Sequence, residues 1–214
     1  MAPTVYLVRH AESAHNVSKD FSHRDPPLTE LGQKQASDLV GFFPNQGSIA
    51  VVLASPLTRT LQTTLAAFGP ILGKESVGDA GVDGGARLIL DPDLQERSDE
   101  PCDTGSDRAV LERTFPNLDF SGLGNNWHAK EGPYTADDDT VSARAEGVRK
   151  RLLDLTKELE VGASDQRRNI VVVTHGVFMK FLSQDKSIDL PKAGWRAYTA
   201  VSGEDGKVAL TPVE

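Results

Sequence analysis

Three short runs rich in β-branched residues, Thr4–Val8, Ile49–Ala54 and Asn169–Val173, are separated along the chain by stretches whose apolar residues recur at helical spacing. Runs that are brief and apolar almost throughout read as strands buried on both faces, and such strands belong to parallel sheets covered by helices. Extended along the chain, the pattern predicts elements at 4–9, 30–43, 49–54, 57–69, 87–90, 106–115, 140–160, 169–174 and 177–183. A hairpin of Ala197–Ser202 and Val208–Thr211 follows. Alternation of this kind predicts an α/β fold, a three-layer sandwich whose mostly parallel central sheet is flanked by helices.

No change of composition and no long Pro/Gly/Ser linker divides the 214 residues, so a single domain over 1–214 is expected. Gly78–Gly85 and Asp137–Asp139 read as loops. Residues 92–139 lack strong periodicity and hold Trp127, His128 and Tyr134, so this insert is expected to form a lid or pocket wall. A net charge of −8 speaks against nucleic acid or an anionic membrane as partner. The one cysteine, Cys102, cannot make an internal disulfide, and neither a signal-type apolar segment nor a membrane-spanning run is present, which together predict a cytoplasmic protein.

Two of the strands end in histidine, one as Arg9-His10 and the other as Thr174-His175-Gly176. In parallel sheets the carboxyl ends of the strands collect the ligand-binding groups, because the loops that follow open a crevice above the sheet. The Ile49–Ala54 strand runs into Ser55-Pro56-Leu57-Thr58-Arg59, with Ser55 placed as a helix cap and Arg59 in the first turn. Arginine offers a planar fork of donors that matches phosphate oxygens, so this crevice reads as an anion site.

Arg9-His10-Ala11-Glu12-Ser13 with Asn16, Ser55-Pro56-Leu57-x-Arg59-x-x-Gln62-Thr63, Leu94-Gln95-Glu96 and Val173-Thr174-His175-Gly176, in that order, resemble the histidine phosphatase superfamily. The likeness is to the branch containing the cofactor-dependent phosphoglycerate mutases and extends over residues 4 to about 185. It implies a phosphoglycerate mutase-like fold and a phosphoryl group carried on His10. Arg9, Arg59 and Asn16 would hold that group, His175 would stabilise the charge developing on it, and Gly176 would let the backbone approach closely. Glu96 would act as general acid and then as base for water, with Glu100 and Asp99 as neighbouring candidates. The implied enzyme is a phosphatase that needs no metal and no cofactor, acting on a phosphorylated small molecule. A phosphomutase is the alternative, and a noncatalytic phosphate-binding module a more distant one. Arg97-Ser98 stands where true phosphoglycerate mutases carry Arg-His-Tyr-Gly, which argues against the mutase. Pro101–Thr104 and the later Asn-Trp pair are similar to fungal phosphomutase-like phosphatases.

Other positions carry two readings. Ser13 either caps a helical turn or touches substrate, and His23 with Arg24 either lines the mouth of the site or belongs to an exposed loop. Thr29 is placed to N-cap a helix with Leu31, Ala36, Leu39, Val40 and Phe43 as its apolar positions, and Gly32 suggests close packing. His15, His23, His128 and Cys102 show no metal-ligand spacing, so no metal site is expected. Nothing in the sequence fixes the oligomeric state.

Overall fold

In the computed structural model, which describes residues 2–162 and 167–213, the apolar runs form the centre of one six-stranded sheet. Its strands are β1 (Val5–Arg9), β2 (Ile49–Ala54), β3 (Arg87–Leu90), β4 (Asn169–Thr174), β5 (Trp195–Ser202) and β6 (Val208–Pro212). They lie in the order β3-β2-β4-β1-β5-β6. The first four are mutually parallel, while the β5–β6 hairpin adds to β1 in antiparallel sense. Alternation along each strand divides the side chains between two buried faces. Val5, Leu7, Val51, Leu53, Ile170 and Val172 meet on one face, and Tyr6, Val8, Val52, Ala54, Val171 and Val173 on the other.

Helices α1 (Ala14–Ser18), α2 (Glu30–Phe42), α3 (Thr58–Phe68), α4 (Lys74–Val77), α5 (Arg108–Thr114), α6 (Asp138–Gly162) and α7 (Gly176–Leu182) complete the elements. Ala36 and Leu39 of α2 with Leu61 and Phe68 of α3 cover the Tyr6 face, whereas Val141, Val148 and Leu152 of α6 with Phe178 of α7 cover the Val5 face. This is the expected three-layer α/β arrangement. Among the described residues no helix is long and apolar enough to cross a membrane.

Several local expectations need correction. Thr29 does cap α2, accepting a hydrogen bond from Gly32 N, but Leu31 and Val40 are 53% and 45% exposed. The buried stripe of α2 runs through Gly32, Ala36 and Leu39 instead. A Cβ at Gly32 would lie 1.9 Å from the Glu12 carbonyl oxygen, so this glycine is what lets α2 lie against the loop that follows β1. In the 92–139 segment, residues near its start line the cavity described below. Farther along, Leu111, Phe115, Phe120, Leu123 and Trp127 are buried in the core layer of α2 and α3. The Trp127 indole fills the space beside Gly105, where a Cβ would come within 2.1 Å of the ring. Trp127 is therefore core, while His128 lies 3.3 Å from Asp107 and Tyr134 lies beside Arg144.

Backbone bonds continue the ladders past the strand ends: His10 N donates to Thr174 O at 3.0 Å, Ser55 N to Val173 O at 3.1 Å and Asp91 N to Ala54 O at 2.9 Å. The residues just beyond β1, β2, β3 and β4 are thus held on one rigid carboxyl edge.

Candidate active site

A cavity of about 410 Å³ opens over that edge, lined by Arg9, His10, Asn16, Arg59, Glu96 and Gly176 among others. His10 is 3% exposed. Its Nδ1 lies 2.7 Å from the Ala11 carbonyl oxygen. A carbonyl can only accept, so Nδ1 carries the proton and Nε2 keeps its lone pair. Burial, with the positive charges of Arg59, Lys192 and Arg9, holds this imidazole neutral, its pKa well below the ordinary histidine value despite the opposing bond to Ala11.

His175 is fully buried, and its ring centre lies 5.2 Å from that of His10. Arg59 Nη2 donates to His175 Nδ1 at 3.0 Å, because a guanidinium has no acceptor to offer. The ring proton is then on Nε2, which donates to Ser55 Oγ at 2.9 Å. Ser55 therefore does not cap α3, which starts from Leu57; its hydroxyl accepts from the His175 tautomer that Arg59 fixes. Burial and Arg59 push the His175 pKa well below its usual value too.

The two arginines are held differently. Arg59 is 1% exposed and donates to the Cys102 carbonyl at 2.7 Å and to Asp103 Oδ1 at 2.8 Å, while Asp103 Oδ2 accepts from Ser98 Oγ at 2.6 Å. Arg9 donates to Asp189 at 3.0 Å and to the Leu190 carbonyl. Its guanidinium lies across Gly176, where a Cβ would stand 3.0 Å from Arg9 Cζ. The Nε of each arginine is buried without a hydrogen-bond partner.

Glu96 is 8% exposed. Its Oε1 accepts from Arg97 N and Phe178 N, both at 2.8 Å, and its Oε2 from Val177 N at 3.1 Å. Burial and the nearby Asp103 carboxylate raise its pKa in spite of these bonds, so the group can hold a proton where an ordinary glutamate is ionised. Oε2, with one longer bond, is the oxygen better able to carry it. The loop bearing Glu96 is braced from α6: Arg144 donates to Asp93 O at 2.9 Å and Gln95 O at 2.7 Å, and stacks on Phe178 at 4.4 Å. Of the neighbouring acids, Glu100 lies at the rim of the cavity and Asp99 is exposed and outside its lining.

Asn16 lines the cavity, with Oδ1 accepting from Ser13 N and Oγ at 3.2 and 3.0 Å and Nδ2 3.0 Å from His15 Nε2. Ser13 is fully buried behind it at the start of α1, and His23 is exposed and away from the cavity. Neither meets the cavity surface, so the cap and the exposed loop describe them. Arg24 is spent on Gly105 O and Asp107. His15, Cys102 and Asp103 bring possible metal ligands within 4.8 Å of one another. Asp103 is already committed to Arg59 and Ser98, and both His15 nitrogens are hydrogen-bonded, so this trio is a structural cluster.

Sequence reasoning missed Asp103, Arg144 and the role of Ser55. Asp103 stands among other acids with no local pattern to single it out, and Arg144 lies in a helix whose charge pattern looks like any solvated face.

The sequence profile of the histidine phosphatase superfamily (branch 1) matches residues 5–202. A protein of Schizosaccharomyces pombe named "Probable phosphatase" is 31% identical over 199 residues, covering 88% of this chain and 83% of its own. Two solved structures share the fold at low identity. "Mycobacterial hydrolase 1" is 20% identical with a TM-score of 0.60, covering 100% of this chain and 98% of its own. The ecdysone phosphate phosphatase from Bombix mori, in complex with tungstate, is 17% identical with a TM-score of 0.62, covering 99% and 92%.

Proposed function

The chain belongs to branch 1 of the histidine phosphatase superfamily and is a phosphatase, and we propose that it hydrolyses phosphomonoesters of small metabolites, without a metal, through a phosphohistidine on His10. The observation that carries this reading is the tautomer of His10. With Nδ1 tied to the Ala11 carbonyl, the free Nε2 is the nucleophile, next to a cavity that holds Arg9 and Arg59.

In the first step His10 Nε2 forms a bond to phosphorus while the ester P–O bond breaks, and protonated Glu96 gives its proton to the departing oxygen. In the second, Glu96 takes a proton from water as the water oxygen attacks phosphorus, the P–N bond breaks, and inorganic phosphate leaves. Arg9, Arg59 and Asn16 hold the nonbridging oxygens, and the two guanidinium groups supply the charge neutralisation that a metal provides elsewhere. The modest cavity and acidic surface favour a small phosphorylated metabolite, and the lone buried cysteine suits a reducing compartment such as the cytoplasm.

The test is phosphate release from an aryl phosphate in excess EDTA, comparing wild type with folded His10→Ala. Release that disappears in the variant, with an acid-labile, base-stable label captured on wild type alone, supports the reading. Equal release from both proteins overturns it.

A further inference from the structure

We propose that Lys192 is a third cation that contacts the phosphoryl group, beside Arg9 and Arg59. This rests on the phosphatase reading above.

The backbone delivers Lys192 to the nucleophile. Pro191–Gly194 is a tight turn closed by Gly194 N donating to Pro191 O at 2.9 Å, with Ala193 in the left-handed region at φ 57°. Alanine adopts that conformation at a cost, so the surroundings must impose it. They do so from the catalytic strand: Arg9 N donates to Gly194 O at 2.9 Å and Ala193 N to His10 O at 3.4 Å. A Cβ at Gly194 would lie 2.7 Å from Pro191 Cδ, which leaves the turn little room to open. Lys192 is therefore one residue from a direct backbone bond to His10, and it lines the same cavity.

Its ammonium differs from the two guanidinium groups there. Arg9 is paired with Asp189 and Arg59 with Asp103, whereas Lys192 makes no hydrogen bond or ion pair among the described residues. Lys180 also lines the cavity, its ammonium without a hydrogen bond or ion pair among the described residues, but Lys192 is the one whose turn is bonded to His10 and whose charge acts on that ring. A dianion at the nucleophile thus meets two arginines paired with carboxylates and one unpaired lysine. Burial and the adjacent guanidinium charges bring Lys192 down to about 8, as expected of a cation waiting for a counter-ion. The same positive charge helps keep His10 unprotonated before substrate arrives. A lysine provides a compact point charge that can follow the phosphoryl group during transfer, while the planar arginine forks keep their orientation.

Lys192→Met retains the aliphatic stem and removes the charge. Calorimetric titration of the full chain with inorganic phosphate should show affinity about 10- to 100-fold weaker, the range for a charge-assisted bond. The kcat/KM should fall by a similar factor on phenyl phosphate and on a carboxylate-bearing alkyl phosphate alike, and Lys192→Arg should recover part of both losses. Unchanged phosphate affinity in a folded Lys192→Met overturns the proposal. So does a loss confined to the carboxylate-bearing substrate, which would assign Lys192 to a remote anion instead. Absence of turnover in wild type would count against the phosphatase reading alone, since phosphate titration still reads the contact.

Discussion

Asp103→Asn isolates the charge that holds Arg59 in place while changing almost nothing else. An asparagine can turn its carbonyl toward Arg59 and its amide toward Ser98 Oγ, preserving the bonds now seen at 2.8 and 2.6 Å. What disappears is the counter-ion of a buried guanidinium, in a pair whose side chains are only 1% and 12% exposed. Two unit charges about 4 Å apart attract by ~4 kcal/mol at an effective dielectric of about 20, and breaking a buried pair from one side typically costs ~3–5 kcal/mol. Arg59 keeps its bonds to the Cys102 carbonyl and His175, so a loss of ~2–3 kcal/mol is expected in the protein without ligand. For a chain of this size that is ~4–12 °C in Tm.

The same substitution should improve anion binding. Asp103 repels a phosphate held by Arg59, so its neutralisation should tighten inorganic phosphate by about tenfold, ~1.4 kcal/mol. Phosphate at a hundred times its Kd then restores ~2.7 kcal/mol, enough to return the variant to the Tm of wild type without ligand. The assay is thermal unfolding by circular dichroism across a phosphate titration, with the exposed Asp99→Asn as control. A ligand-free Tm equal to wild type, or phosphate bound more weakly by Asp103→Asn, would refute the view that Asp103 is the resident counter-ion an anion displaces.

The two close-packed glycines should separate stability from activity. Gly32→Ala drives a Cβ into the Glu12 backbone and should cost ~3 kcal/mol in denaturant unfolding, whereas Gly176→Ala meets only the far end of the Arg9 side chain. The latter should leave stability intact and lower kcat/KM on aryl phosphates ~10- to 100-fold by displacing that guanidinium. The raised pKa of Glu96, faced by Asp103 and Arg59, means that its acid form is lost only as pH climbs past that value. Alkyl phosphates should therefore show an alkaline fall in the phosphorylation step beyond the one from substrate ionisation, and aryl phosphates, with better leaving groups, only the latter; coincident pH profiles for the two would deny Glu96 the acid role. Arg144→Met keeps an apolar side chain beside Phe178 but removes the guanidinium that stacks on it and braces the Glu96 loop, so kcat on alkyl phosphates should drop ~10-fold with little change on aryl phosphates; an equal drop on both would mark a general structural defect.

What the sequence reveals depends on whether a residue's position follows from its neighbours along the chain. His10, His175 and Arg59 are legible because a buried parallel strand dictates where its carboxyl end lies, and whatever follows that end faces the crevice. Asp103 and Lys192 are not, because each reaches the site from a loop whose path is set by distant contacts. The Lys192 turn hangs on the backbone of Arg9 and His10, more than 180 positions away. Ser55 illustrates a different failure: the local rule for helix caps is sound, yet the hydroxyl is taken by a histidine 120 residues downstream. The aperiodic 92–139 segment is legible only in part: its start lines the cavity as a pocket wall should, while Phe120, Leu123 and Trp127 bury themselves from irregular turns where no period exists to read.

The hydrogen bonds of His175 constrain how the site is armed. The His175 Nδ1 accepts from Arg59, so in this arrangement that nitrogen cannot donate to a phosphoryl oxygen. Donation requires that Arg59 Nη2 turns to the anion and that Nδ1 carries a proton, either by a shift of tautomer in which Ser55 Oγ donates to Nε2 or by protonation of the ring. Burial and Arg59 oppose protonation while the cavity holds no anion, and a bound dianion favours it. A phosphomonoester has its second ionisation near pH ~6, so the proton can arrive with the substrate. A monoanion bound to neutral His175 and a dianion bound to its imidazolium contain the same number of protons, and passage between them is one transfer inside the cavity. In that case the falling limb of kcat/KM above pH ~6 reports the substrate's ionisation, and the depressed histidine pKa values serve to keep His10 nucleophilic well into acid.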